Sequence, residues 1–82
     1  MKLTEAAIVD KVLEIISGFS GGPKATITQR SNLTADLRLD SLDQLEILME
    51  VEATFEVNIP DDEAERIVTV QDLVHCVLRR LS

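Results

Sequence analysis

The chain has 82 residues, with 15 acidic against 8 basic side chains and a formal net charge of −7. This balance argues against nucleic acids and anionic membrane surfaces as partners, because proteins that bind either one present basic side chains. It favours a basic protein partner or divalent cations, and the length predicts a single domain over residues 1–82.

The first predicted helix begins after Thr4, a good N-cap, with Glu5 in the first turn where the helix dipole favours an acid. Leu3 and Ile8 are spaced to form a hydrophobic staple across this cap. Three glycines and Pro23 in SGFSGGP end the helix. The apolar residues that recur at helical spacing are Ile8, Val12, Ile15, Ile16 and Phe19.

Residues 18–40 show no periodicity and predict a long first loop. Its expected anchors to the core are Ile27, Leu33, Leu37 and Leu39. A second helix is predicted from Ser41 to Phe55 or Glu56, with Asp40 as its N-cap. It is ended by NIP, because Pro60 favours extended structure before it.

The segment DDEAERI predicts a short third helix capped by Asp61 or Asp62. The last helix is predicted to begin at Thr69, with Asp72 placed as the acid of a capping box. Its apolar stripe consists of Val70, Leu73, Val74, Val77, Leu78 and Leu81. The sequence therefore predicts an all-α four-helix bundle with three longer helices and one short one.

The second helix has two apolar stripes, although a helix in a small bundle needs only one to face the core. The expected core face is Ile47, Leu48, Val51 and Phe55. The other stripe consists of Leu42, Leu45, Met49 and Ala53, flanked by the acids Asp43, Glu46, Glu50, Glu52 and Glu56. An apolar centre with a charged rim is typical of a docking surface. The alternative is that this stripe packs on the long loop.

Ser41 stands where the loop becomes the second helix, and two interpretations of it remain open. Serine is an ordinary capping residue at such a position. A hydroxyl at the first helical position also faces unpaired backbone N–H groups and the positive end of the dipole, so it suits a serine that carries a phosphate.

Catalysis by Ser41 is not expected, because a nucleophilic serine needs a nearby base held by a third group. The only histidine, His75, and its neighbour Cys76 are both expected at the surface of the last helix. The segment DLRLDSLDQLEI fails as a calcium loop at Arg38, Ser41 and Ile47. We therefore expect neither an enzyme nor a metal site.

Cys76 is the only cysteine, so no disulfide can form within the chain, which is typical of a reducing compartment. The segment MKLTEAAIVDK mixes acids with apolar residues, unlike a signal peptide. No apolar run approaches the roughly 20 residues that cross a membrane. These features predict a cytoplasmic protein without stable membrane association, which we expect to be a monomer.

The segment from Asp36 to Leu73 resembles the acyl carrier proteins of fatty acid and polyketide synthesis. The similarity lies in the pattern DLxxDSLDxxE and continues through ExxFxxxIPDxEAExIxTVQD. The chain departs from the family pattern at Arg38 and Leu39, where a Gly-Ala pair is common, and at Ala53, where an acid is common. A carrier dedicated to a specialised lipid or polyketide would fit these departures.

The resemblance implies that Ser41 bears 4′-phosphopantetheine, attached by a phosphopantetheinyl transferase, and that the arm holds acyl groups as thioesters. It implies docking of acyl-transferring and condensing enzymes, through their basic patches, at Asp40, Leu42, Asp43, Glu46, Met49 and Glu52. Leu45 and Glu50 extend that surface on the same stripe and rim. It also implies an acyl pocket lined by Ile47, Leu48, Val51, Phe55, Ile59, Ile67 and Leu73.

Two alternatives stay open at this point. One is an unmodified acidic helical adaptor that binds a basic protein through the second helix. The other is an aminoacyl or peptidyl carrier, although such carriers usually have a pair such as Gly-His before the serine and are less acidic.

Overall fold

The computed structural model describes residues 4–22 and 24–81, which form four α-helices and a short 3₁₀ turn at Lys24–Thr26. The helices are α1 (Glu5–Ser20), α2 (Ser41–Phe55), α3 (Asp61–Ala64) and α4 (Val70–Leu81). Within the described residues the only β-type pairing is an isolated bridge between Asn32 and Thr69. The predicted fold, with three longer helices and one short one, is confirmed.

The ends of α1 follow from local chemistry. The Thr4 hydroxyl accepts a hydrogen bond of 3.1 Å from the Ala7 amide, as expected for an N-cap. Gly21 ends the helix with a φ of 77°, a left-handed conformation that glycine adopts without strain. The predicted staple involves Leu3, which lies outside the described residues.

The core lies where α1 packs against α2 and α4. Its buried side chains are almost all aliphatic, and Phe55 is the one aromatic ring among them. The loop anchors behave as predicted: Ile27, Leu33 and Leu39 are buried and Leu37 is half-buried. A core with few flat, rigid rings can rearrange its side chains with small adjustments.

Backbone hydrogen bonds fasten the long loop to the entrance of α4. The Leu33 amide donates to the Val68 carbonyl at 2.9 Å, and the Val70 amide donates to the Ser31 carbonyl at 3.1 Å. These bonds fix the loop at residues 31–33. The segment that follows, residues 34–40, leads from there into the start of α2.

The predicted cap of α3 needs correction, whereas the predicted capping box at the start of α4 is confirmed. α3 is preceded by Pro60 without a side-chain cap, so Asp61 and Asp62 lie in its first turn, where the dipole favours acids. α4 begins at Val70, one residue after the predicted start, and Thr69 is its cap. The Thr69 amide donates to the Asp72 carboxylate at 3.0 Å, as predicted for a capping box. The Asp72 amide donates to the Thr69 hydroxyl at 3.2 Å.

Two carboxylates near the start of α4 and on α3, those of Asp72 and Glu63, accept hydrogen bonds that favour their charged form. The amides of Val68 and Thr69 donate to the Asp72 carboxylate and lower its pKa. Glu63 of α3 accepts from Arg80 of α4 at 3.1 Å, and this ion pair lowers the pKa of the Glu63 carboxyl. The Glu63–Arg80 ion pair holds α3 beside α4.

The prediction that Cys76 lies at the surface is wrong, since its side chain is only 1% exposed. α3 covers this side of α4, and the Cys76 thiol donates to the Glu63 carboxylate at 3.6 Å. Burial raises the pKa of the thiol. Its neighbour His75 is exposed, as predicted.

Arg38 has a φ of 56°, a left-handed conformation that costs a residue with a Cβ about 1–2 kcal/mol. Arg38→Gly should remove that cost. The gain is partly offset, because the more flexible glycine stabilises the unfolded chain by roughly 0.4–1 kcal/mol of conformational entropy. We expect the free energy of unfolding in urea to rise by about 0.5–1 kcal/mol.

Arg30 in the same loop provides the control, because it is exposed and its φ is not positive. Arg30→Gly should lower the free energy of unfolding by up to about 1 kcal/mol. Equal losses in both variants would show that the conformation of Arg38 stores no strain.

Candidate functional site

The start of α2 is held by a reciprocal pair of acids. The Asp40 carboxylate accepts from the Asp43 amide at 2.8 Å, and the Asp43 carboxylate accepts from the Asp40 amide at 3.3 Å. This is a capping box, and it identifies Asp40 as the N-cap. The capping interpretation of Ser41 is therefore wrong, because Asp40 is the N-cap and the side chains of Asp40 and Asp43 make the capping hydrogen bonds.

Ser41 is the first residue of α2, and its side chain is exposed. The first bond within the helix runs from the Gln44 amide to the Asp40 carbonyl, so the amides of Ser41 and Leu42 precede the internal ladder. Such amides and the helix dipole favour an anion at this end. The position fits a hydroxyl that carries a phosphodiester.

One face of α2 is open to solvent. Leu42, Leu45 and Met49 are 63%, 55% and 59% exposed, and Ala53 is exposed as well. The alternative in which this stripe packs on the long loop is therefore wrong. Asp43 lies half-buried beside the stripe, while Glu46 and Glu50 are exposed there. We call Leu42, Leu45, Met49 and Ala53, together with the flanking acids Asp43, Glu46 and Glu50, the exposed face of α2.

Glu52, expected on the rim of this face, has a second role that the sequence did not indicate. Its carboxylate accepts a hydrogen bond of 2.8 Å from the Ile59 amide and is half-buried. It thus fixes the extended segment between α2 and α3. Glu56, at the other end of that rim, adopts a φ of 55° as the C-cap of α2.

Beneath α2 lies a small cavity of about 20 Å³, with room for about one water molecule. Four of the residues expected in an acyl pocket line it, namely Ile47, Leu48, Ile67 and Leu73. The other three, Val51, Phe55 and Ile59, are buried in the adjoining core. The wall is completed by Leu33, which was predicted as a loop anchor, and by Gln44 and Ala64, which the sequence did not single out.

A larger depression on the surface lies elsewhere, between α3 and α4. It measures about 490 Å³, and His75, Arg66 and Arg79 are among its lining residues, whereas Ser41 is not. In the described part of the chain, no group of three or more His, Cys, Asp or Glu side chains could hold a metal ion. Nor does any described helix have the length and apolar character to cross a membrane.

Comparison with known proteins identifies the chain. Residues 10–77 match the family model described as a phosphopantetheine attachment site. The acyl carrier protein of Chlorobium phaeovibrioides is 44% identical over 78 residues, which cover 95% of this chain and all of that protein. The chain belongs to the acyl carrier protein family.

Other members agree over nearly the whole length. The acyl carrier protein of Rickettsia typhi is 39% identical over 79 residues, covering 96% of this chain and 92% of that protein. The structure of the acyl carrier protein from Enterococcus faecalis superposes with a TM-score of 0.81 at 31% identity, covering 95% of this chain and 99% of that one.

Membership decides the cofactor and the broad function. This chain is an acyl carrier protein whose prosthetic group is 4′-phosphopantetheine. When bound, that group supplies the thiol on which acyl groups are carried as thioesters. Members of the family are carriers rather than catalysts, and they work with a transferase and with synthesis enzymes.

Proposed function

We propose that Ser41 carries the 4′-phosphopantetheine arm through a phosphodiester, and that the chain presents acyl intermediates to enzymes of fatty acid, specialised lipid or polyketide synthesis. The observation that carries this proposal is the exposed Ser41 hydroxyl at the first residue of α2. Asp40 and Asp43 cap the helix, which leaves that hydroxyl available for modification.

The chain itself catalyses no step in this proposal. A serine nucleophile needs a base within hydrogen-bond reach, and His75 lines the depression between α3 and α4, which does not include Ser41. The raised pKa of the buried Cys76 thiol disfavours its reactive thiolate form. Substrate chemistry then belongs to the partner enzymes, and the free thiol suits a cytoplasmic location.

Partner enzymes dock, we infer, on the exposed face of α2, beside the arm they must reach. Its apolar centre and acidic rim would meet a surface with an apolar patch and basic side chains. The recognising residues are proposed to be Asp40, Leu42, Asp43, Leu45, Glu46, Met49, Glu50 and Glu52. The carrier would act as a monomer, which leaves this face open.

The acyl chain is sheltered, on this proposal, in the cavity beneath α2. That cavity is too small for an acyl chain in the present structure. Aliphatic neighbours such as Ile47 and Leu73 would have to shift to enlarge it, which the ring-poor core permits.

The carrier function is tested by loading. The protein is incubated with an acyl coenzyme A and a broad-specificity phosphopantetheinyl transferase, and its intact mass is recorded. We expect a gain of one acylated arm, and hydroxylamine should then release the acyl group while the arm remains. A folded protein that gains no mass would overturn the proposal and favour the unmodified adaptor.

The docking face gives a quantitative prediction. Glu46 and Glu50 are exposed on the rim of α2, and reversing rim charges slows electrostatically steered association. The double variant Glu46→Lys with Glu50→Lys should lower kcat/KM of the transferase for this carrier by about tenfold or more at low salt. Added salt should shrink the difference.

A matched control lies on α1, where Glu5 and Glu14 are also exposed. The pair Glu5→Lys and Glu14→Lys makes the same change in net charge away from α2 and should lower kcat/KM far less. Equal losses from both pairs would mean that the transferase senses only the overall charge, which would contradict docking on α2.

A further inference from the structure

The cavity beneath α2 has one polar side chain in its wall. Gln44 is half-buried there, and the other residues that line the cavity are apolar. Those residues are Leu33, Ile47, Leu48, Ala64, Ile67 and Leu73. A polar group in an apolar wall costs free energy unless it finds a hydrogen-bond partner, so the contacts of Gln44 matter.

The amide nitrogen of Gln44 is fully used by the long loop. Nε2 donates to the Leu39 carbonyl at 3.1 Å and to the Thr34 hydroxyl at 3.1 Å. The Leu39 carbonyl can only accept, which fixes the orientation of the amide. The nitrogen thus ties residues 34–39 to α2. Oε1 accepts no hydrogen bond from the described residues, so it can accept from a donor that reaches Gln44.

Gln44 also lies between the attachment hydroxyl and the cavity. Ser41, Gln44 and Leu48 follow i, i+3, i+7 spacing, so they share one face of α2. Ser41 is exposed, whereas Gln44 and Leu48 are half-buried and line the cavity. The acyl chain hangs from the thiol at the end of the arm, so an arm that folds back from Ser41 along this face would bring the thioester to Gln44, at the Ser41 side of the cavity.

We propose that Gln44 selects the acyl groups this carrier shelters, favouring chains with a hydroxyl near the thioester. The hydroxyl would donate to Oε1, whereas a saturated chain would displace water from that oxygen and offer it no donor. The inference rests on the carrier function proposed above and names its substrate class. Leu48 and the remaining wall hold the rest of the chain by apolar contact.

The test uses the intact carrier loaded with a medium-length saturated acyl group or with its β-hydroxy counterpart. Hydroxylamine cleavage of each thioester is timed against the same thioester on free pantetheine, which gives a protection factor. The β-hydroxyacyl form should be protected roughly threefold to tenfold better, as one hydrogen bond permits. Gln44→Leu should abolish this preference.

Two further variants separate selection from loop stability. Thr34→Val removes one contact of Nε2 but leaves Oε1, so the preference should persist. Gln44→Met keeps the length of the side chain but has only a weakly accepting sulfur in place of Oε1, and it should lose the preference even if Gln44→Leu fails to fold. A preference that survives in Gln44→Met would overturn the inference.

The loading step keeps the two proposals apart. Intact mass is recorded before hydroxylamine is added, so absence of the arm would count against the carrier function, and the inference would fall with it. Normal loading with equal protection of both thioesters in the unaltered protein would overturn only the role of Gln44.

Discussion

The Ser41→Ala variant is expected to gain no phosphopantetheine under conditions in which the unaltered chain is fully modified. The phosphodiester needs a hydroxyl, and alanine offers none. Because Asp40 and Asp43 cap α2, removal of the Ser41 hydroxyl should leave the helix intact. Circular dichroism and the urea midpoint should therefore stay close to those of the parent, within about 0.5 kcal/mol.

The control is Ser20→Ala, at the end of α1. Ser20 accepts a bond from the Gly22 amide at 3.4 Å and takes no part in the proposed site. This variant should take up the arm completely. Modification of Ser41→Ala, or failure of both variants while both remain folded, would contradict attachment at Ser41.

Leu73→Ala should produce the largest loss of stability among the changes considered. Leu73 is fully buried on α4 and lines the cavity beneath α2. Removing most of a buried leucine costs about 2–5 kcal/mol, depending on how far the neighbours close the space. In a domain of this size that would lower the melting temperature by roughly 10 °C or more.

Leu81→Ala, on the same helix, is the matched comparison because Leu81 is 42% exposed. It should cost less than about 1 kcal/mol in urea unfolding. A loss at Leu73 as small as that at Leu81 would show that the core collapses around the missing side chain. The cavity would then be more deformable than the packing indicates.

Helix positions could be predicted because their signals are local. Thr4, Asp40 and Thr69 cap the helices that follow them, and the apolar spacing of α1 and α4 matches their buried faces. The position of Ser41 at the head of α2 followed from the same rules. The exposure of the second stripe on α2 could only be offered as one of two alternatives, since it depends on where the long loop runs.

The errors and omissions involve contacts between distant segments. Cys76 was expected at the surface because its own helix does not show that α3 will cover it. Glu52 looked like a simple rim acid, yet its carboxylate binds the Ile59 amide beyond the end of α2. Gln44 was overlooked, since its partners Thr34 and Leu39 lie in a loop without periodicity.

Peptide mapping of the modified chain shows directly which residue carries the arm. The protein is modified with coenzyme A and the transferase and then digested, and the mass of the arm is located by fragmentation. We expect the arm on Ser41 alone. An arm on another hydroxyl, such as Ser31 or Thr34 of the neighbouring loop, would contradict the proposed role of the α2 N-terminus.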